Sequence, residues 1–231
     1  MKVVHLNFAH GYFYGSQLEN SETAMKFPVI TQSLRADHHD LDRDFQEKHA
    51  GLLRQRRGAG YWIWKAQLIK QVLRDMPDGD VVFYTDAGMN FIADPTPLVR
   101  LTDTQPVVGF YMDDQMEGMW TKRDVFKALN ADGMRFNKQM IGAFFLARAG
   151  AEAKFFVDEW LKLVTQPHLV DDSPSVEPNF PEFRDHRHDQ SILSLLYRRL
   201  GYTPFPDPSQ WGNDNPHREY PQIFFHHRRR V

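Results

Sequence analysis

Val81-Val82-Phe83-Tyr84-Thr85, running straight into Asp86-Ala87-Gly88, is the stretch on which the fold turns. Its residues are apolar, β-branched or aromatic with no polar alternation, which suits a strand covered on both faces, as in a parallel sheet. The turn Asp78-Gly79-Asp80 precedes it. Ligands of open α/β sheets bind beyond the carboxyl ends of the strands, so an acid directly after such a strand points toward a cleft. Ala87 and Gly88 are small enough to let a ligand approach the backbone. An ordinary Asp-x-Gly turn explains the same residues, and the fragment alone does not separate the two.

Upstream, Gly58-Ala59-Gly60 breaks the chain before a helix over 61–74. Tyr61, Trp64, Lys65, Leu68, Ile69, Val72 and Leu73 form its inward stripe, with Ile63, Gln67, Lys70, Gln71 and Arg74 on the opposite, mostly polar face. The charged segment 37–57 reads as solvated helical surface. A first strand is expected within residues 1–8, since the short apolar run lacks the core and cleavage site of a signal peptide. A helix around 17–25 and a weaker strand over 28–34 follow.

Downstream, strands are expected at 106–112 and 141–147, and helices at 121–129, 151–164 and 188–200. Thr121 and Asp124 have the spacing of a capping box. The proline-rich stretches 166–187 and 201–221 read as loops, and 222–225 as a terminal strand. Strands alternating with helices predict one α/β domain with a mostly parallel central sheet flanked by helices.

The chain has 231 residues, 42% of them hydrophobic and 25% charged, which suits one globular core rather than a disordered chain. A net charge of −2 gives no basic field for nucleic acid, and the only dense basic patch is Arg228-Arg229-Arg230. The absence of cysteine excludes disulfides, thiol catalysis and Cys-ligated zinc, and is compatible with a reducing cytoplasm. No run approaches the roughly 18 apolar residues of a membrane span, so membrane association would be peripheral.

Each chemical candidate has a plainer explanation. Lys65, on an inward stripe near a helix start, needs an anion such as a diphosphate, or it reaches solvent over Trp62 or Trp64. Asp189 opens the helix at 188, where an acid suits both the helix dipole and general-base work. His186 and His188 have metal-ligand spacing but no clear third ligand. His226-His227-Arg228 offers ligands or a phosphate clamp, or is a solvated tail. Asp171-Asp172-Ser173-Pro174 fits a turn, and Trp62, Trp64 and Trp120 fit core or lid packing as readily as a sugar platform.

Taken together, Gly58-Ala59-Gly60-Tyr61-Trp62-Ile63-Trp64-Lys65, Tyr84-Thr85-Asp86-Ala87-Gly88, Trp120-Thr121-Lys122-Arg123-Asp124-Val125-Phe126, and Asp171-Asp172-Ser173-Pro174-Ser175 followed by His186-Arg187-His188-Asp189-Gln190-Ser191 resemble a family of bacterial GT-A-type glycosyltransferases found among capsule, lipopolysaccharide and exopolysaccharide genes. The resemblance implies a single GT-A-like (Rossmann-like) domain over 1–231, with 1–100 mainly nucleotide-binding and 101–231 mainly on the acceptor side. It implies transfer of a hexose from a nucleotide diphosphate sugar, UDP being the expected nucleotide, to a saccharide or lipid-linked saccharide acceptor. The implied setting is cytoplasmic, at the inner face of the membrane.

By the same resemblance, Asp86 corresponds to the first acid of an Asp-x-Asp motif. It would hold the donor diphosphate with Ala87, Gly88, Lys65 and His5 of the first strand. Asp189 would be catalytic, and Trp120, Asp172, His188 and Gln190 would meet the acceptor or sugar. A Mn²⁺ or Mg²⁺ ion would sit on Asp86, His226 and His227. Gly88 replaces the motif's second acid, so the ion is held by fewer carboxylates or is dispensable. Two rivals remain: a metal-dependent phosphoesterase, and a non-catalytic nucleotide- or saccharide-binding module of the same fold.

Overall fold

The computed structural model describes residues 1–227 and 229. Arg228 and Arg230 of the basic tail lie outside the described residues. Strands β1 (Val3–Phe8), β2 (Gln32–Ala36), β3 (Val81–Thr85), β5 (Val107–Met116), β6 (Lys138–Arg148) and β7 (Phe205–Pro206) form one sheet in the order β2-β1-β3-β6-β5-β7. A two-stranded sheet pairs β4 (Met89–Phe91) with β8 (Phe224–His226). In the large sheet β2, β1, β3, β5 and β7 run one way and β6 runs against them. The sheet is therefore mostly parallel, as expected. Antiparallel neighbours need no crossover, and the chain returns from β5 to β6 through short helical turns at the same sheet end, where Met116 pairs with Lys138.

Every residue of β3 is buried, which accounts for its unbroken apolar sequence. Side chains alternate along it. Val82 and Tyr84 enter a core under the Ile63–Asp75, Ala151–Val164 and His188–Arg199 helices, while Val81 and Phe83 enter a second core with Met89, Phe91 and Phe224. The site lies where these two layers meet at the carboxyl end of β3.

Several sequence expectations need correction. The second strand begins at Gln32, beyond Pro28, and the 37–57 segment breaks into the short helices Arg43–Lys48 and Ala50–Leu53, with Leu41, Phe45 and Leu52 buried. Ile63 and Gln67 are buried rather than solvated: Ile63 joins the hydrophobic core, and Gln67 donates to Asp42 and Gln71. The capping box does not form. The helix starts at Arg123, Thr121 donates to Glu117, and the Asp124 carboxylate accepts from the Val176 amide. Among the described residues no helix is long and apolar enough to cross a membrane.

Candidate active site

Asp86 follows β3 on the Tyr84 side of the sheet, and the Tyr84 hydroxyl donates to its Oδ1 at 2.6 Å. Lys65, from the first turn of the Ile63–Asp75 helix, reaches the same carboxylate at 3.5 Å and the Asp189 carboxylate at 3.0 Å. It also donates to the Gly142 carbonyl at 2.8 Å. One ammonium thus gathers a strand-end acid and a helix-start acid from distant parts of the chain. Lys65 and Asp189 are almost fully shielded, at 3% and 5% side-chain exposure, whereas Asp86 keeps 38% and faces the cleft.

Burial alone would drive the Lys65 ammonium toward losing its proton, but the two carboxylates outweigh it and hold its pKa above the ordinary value. Burial pushes Asp189 up to about 6, against the pull of Lys65 and with help from the negative charge of Asp86. Lys65 is neither a snorkelling side chain nor a free cation awaiting a diphosphate. Its charge is already shared by two acids.

The turns that aim these groups are strained. Ala59, Tyr61 and Trp62 have φ of 50°, 53° and 60°, and His188, just before Asp189, has φ of 51°. Non-glycine residues in this region cost energy and cluster at functional sites. The two turns are also in contact, since the His188 ring lies 4.9 Å from Tyr61 and 5.5 Å from Trp62, each at 30°. Gly60, at φ 102°, has no room for a side chain: a Cβ there would stand 2.8 Å from the Leu53 Cα. The glycine break in the sequence is thus the turn that presents Lys65.

These groups open onto a cleft of about 1280 Å³ at the carboxyl ends of the strands. Ala87, Gly88, Gln190, His188 and His226 line it with the three charged residues. Gln190 accepts from the Gly142 amide at 2.9 Å, fixing the carbonyl that receives Lys65. The Gly88 carbonyl accepts from the His227 amide at 3.1 Å, so the Asp-Ala-Gly turn is pinned by the chain leaving β8. Residues given no role from sequence also line the cleft: His10, Phe13 and His38 beyond β1 and β2, Trp211, and Arg187 of the His186–Ser191 motif.

Four expected site residues do not line it. His5 is buried within the sheet, with its ring nitrogens 2.8 Å from Ser33 Oγ and Thr85 Oγ1, and burial lowers its pKa to about 3. Trp120 lies beneath the Arg187 guanidinium, 3.8 Å from its ring centre. Asp172 pairs with Arg57 at 2.9 Å, and His227 accepts from the Arg229 amide at 3.0 Å. Trp120 and Asp172 thus touch cleft-lining arginines without lining the cleft themselves.

The metal set does not assemble. Among the described residues no group of three His, Cys, Asp or Glu side chains could hold an ion. Asp86 is engaged by Tyr84 and Lys65, and the His226 ring stacks on Trp211 at 4.1 Å and 21°. His186 and His188 point ring nitrogens at the Leu169 and Val170 carbonyls, 2.9 and 2.6 Å away, so His-x-His anchors a loop. The donor set does not fit a two-carboxylate metal site.

No protein-family model matches the chain, and no curated protein matches it. Solved structures do. Mouse xyloside xylosyltransferase 1 in its apo form superposes with a TM-score of 0.52 at 9% identity, over 97% of this chain and 96% of that one. A glycosyltransferase involved in the glycosylation of the major capsid of PBCV-1 gives 0.51 at 10% identity, over 98% and 93%. The apo WbbM bifunctional glycosyltransferase gives 0.51 at 11% identity, over 90% of this chain but 39% of that protein. The fold is a mixed α/β, GT-A-like fold shared with glycosyltransferases.

Proposed function

We propose that the chain is a glycosyltransferase that moves a hexose from a UDP-sugar to a saccharide acceptor by single displacement, with Asp189 as the general base. The observation that carries this reading is the single Lys65 ammonium holding Asp86 and Asp189 together inside a cleft of a GT-A-like fold. The acceptor oxygen forms a bond to the anomeric carbon as the carbon–oxygen bond to the diphosphate breaks. The diphosphate leaves with the electron pair, and the acceptor proton passes to Asp189. A carboxylic acid with a pKa of about 6 is mostly ionised at neutral pH and still basic enough for this work.

The partly exposed Asp86, already satisfied by a phenol and an ammonium, suits the hydroxyl groups of the donor better than an ion. Arg187, which lines the cleft, supplies positive charge toward the leaving diphosphate. Residues 1–100 provide Lys65 and Asp86 on the donor side, and 101–231 provide Asp189 and Gln190 on the acceptor side. The resemblance to surface-polysaccharide enzymes supports a saccharide or lipid-linked saccharide acceptor met in the cytoplasm, at the inner face of the membrane. Against a metal-dependent phosphoesterase stands the engagement of both cleft acids by the Lys65 ammonium, with Asp86 also accepting from the Tyr84 phenol. A non-catalytic module is disfavoured because a buried, raised carboxylic acid costs stability without serving binding.

Thermal shift with UDP-, GDP-, CDP- and dTDP-sugars, each with Mn²⁺ and with a chelator, tests the reading, because a ligand bound to the native state raises its melting temperature. UDP-sugars are expected to raise it to a similar extent under both conditions. If no nucleotide sugar raises it under either, the reading fails.

A further inference from the structure

Gln139, on β6, is completely buried and does not line the cleft. Its Oε1 nevertheless accepts from Arg187 Nη1 at 3.2 Å and from Gln190 Nε2 at 3.0 Å. Arg187 and Gln190 bracket His188-Asp189 in the sequence, and both line the cleft with Asp189. One amide oxygen therefore grips the chain on both sides of the acid. The grip extends outward from each. Gln190 accepts from the amide of Gly142, whose carbonyl receives Lys65, and the Arg187 guanidinium lies over Trp120 and donates to Gln115 Oε1 at 2.9 Å.

The Gln139 amide can act only one way round. A guanidinium has donors alone, so Arg187 must meet the oxygen. At the other end Gln139 Nε2 lies 3.2 Å from Thr121 Oγ1, 3.3 Å from Ser191 Oγ and 3.4 Å from Glu117 Oε2. Thr121 already gives its hydroxyl proton to Glu117, and Ser191 gives its own to the Trp120 carbonyl. Both hydroxyl oxygens thus turn lone pairs toward Gln139 and hold its amide nitrogen among them. The buried amide is satisfied at both ends, which is the condition under which a polar network rigidifies its surroundings.

That rigidity has a use at the turn before Asp189. His188 is held at φ 51°, and a non-glycine residue stays in that region only where its surroundings over-determine it. Arg187, the N-cap residue of the helix, makes no capping bond through its side chain, which is turned to Gln139 instead. We infer that Gln139 is a positioning residue for the transfer, whose amide oxygen keeps the turn carrying Arg187 and Asp189 in its reactive geometry. The inference rests on the roles proposed above for those two residues, with Gln139 as its own claim.

The test compares Gln139→Met, which keeps the length of the side chain and removes both ends of the amide, with Thr121→Val, which takes one acceptor from the nitrogen end and leaves the bonds of the oxygen in place. Gln139→Asn, which withdraws the oxygen by one methylene, takes the place of Gln139→Met if that variant does not fold. Two quantities are read: the Asp189 titration midpoint in the ligand-free chain, by carboxyl ¹³C NMR with the resonance identified by its loss in Asp189→Asn, and kcat and donor affinity with a UDP-sugar and a saccharide acceptor. In Gln139→Met the midpoint should fall from about 6 toward the ordinary carboxylate range, as water reaches the loosened turn. Its kcat should fall about 10²-fold while donor affinity holds within about threefold. Thr121→Val should keep the wild-type midpoint and kcat. A folded Gln139 variant with the wild-type midpoint or the wild-type kcat would overturn the inference, as would a midpoint that moves equally in Thr121→Val. A wild type that turns over no UDP-sugar would sink the proposed transfer, while the midpoints would still decide whether Gln139 holds the turn.

Discussion

The Lys65 ammonium lies 3.0 Å from the Asp189 carboxylate, and both side chains are almost wholly out of water. Lys65 is further supported by Asp86 and the Gly142 carbonyl, but its ammonium is the one opposite charge paired with the Asp189 carboxylate among the described ion pairs. Removing one partner of a buried pair leaves an uncompensated charge, which costs about 3–5 kcal/mol. Lys65→Met should therefore lower unfolding stability in urea by that amount. The double variant Lys65→Met/Asp189→Asn should recover much of it, because it buries no unpaired acid there.

Asp189 also links activity to pH. Its pKa rises from 3.8 to about 6 on folding, because burial disfavours the ionised form. Its contribution to stability is thus fully present below pH 3.8 and is lost as pH rises through about 6. The base role requires the opposite protonation state, so kcat/KM should climb with pH on a limb centred near 6. Rate profiles of the wild type check the limb, and the urea midpoint of the wild type relative to that of Asp189→Asn should fall as pH rises from 4 to 7.

Glu117 offers a second titration that is separate from the cleft. It is fully buried, accepts from Ser194, Thr121 and Gln139, and burial raises its pKa from 4.5 to about 7. Its stabilising contribution is likewise fully present below pH 4.5 and lost as pH rises through about 7. Glu117→Gln removes the ionisation and should match the wild type near pH 5 but exceed it by about 2 kcal/mol at pH 8. Urea denaturation at the two pH values reads the difference.

Strain before the Lys65 helix predicts opposite outcomes at adjacent positions. Ala59 has φ of 50° and Gly60 has φ of 102°. Ala59→Gly relieves the left-handed backbone and should leave stability unchanged or raise it by up to about 1 kcal/mol. Gly60→Ala adds a Cβ 2.8 Å from the Leu53 Cα and should lower it by about 2 kcal/mol or more. Urea midpoints measure both.

The elements that build the sheet were legible where burial is two-sided. The 81–85 strand appears with the expected bounds, as does the Ala151–Val164 helix, whose apolar spacing is regular. The grouping of Lys65, Asp86 and Asp189 followed from the family resemblance, and of the three only the strand-end Asp86 is aimed at a crevice by the fold rule alone. The burial of Gln67 was not anticipated, since its partner Asp42 lies in an irregular segment with no periodic pattern. Nor could His5 be excluded from the cleft by sequence, because alternation along a strand buried on both faces does not say which polar residue meets Ser33 and Thr85 instead of a ligand. Trp211 lies in a proline-rich loop, where periodicity carries no information. His226 became part of its support only when β8 paired with β4.

The most direct test is Asp189→Asn assayed in parallel for UDP-sugar binding by calorimetry and for UDP release with a saccharide acceptor. If Asp189 takes the acceptor proton, the variant should keep donor affinity within about threefold while turnover falls by about 10²–10⁴-fold. A variant that loses binding and rate together, or one that turns over as fast as the wild type, would contradict a base at this position.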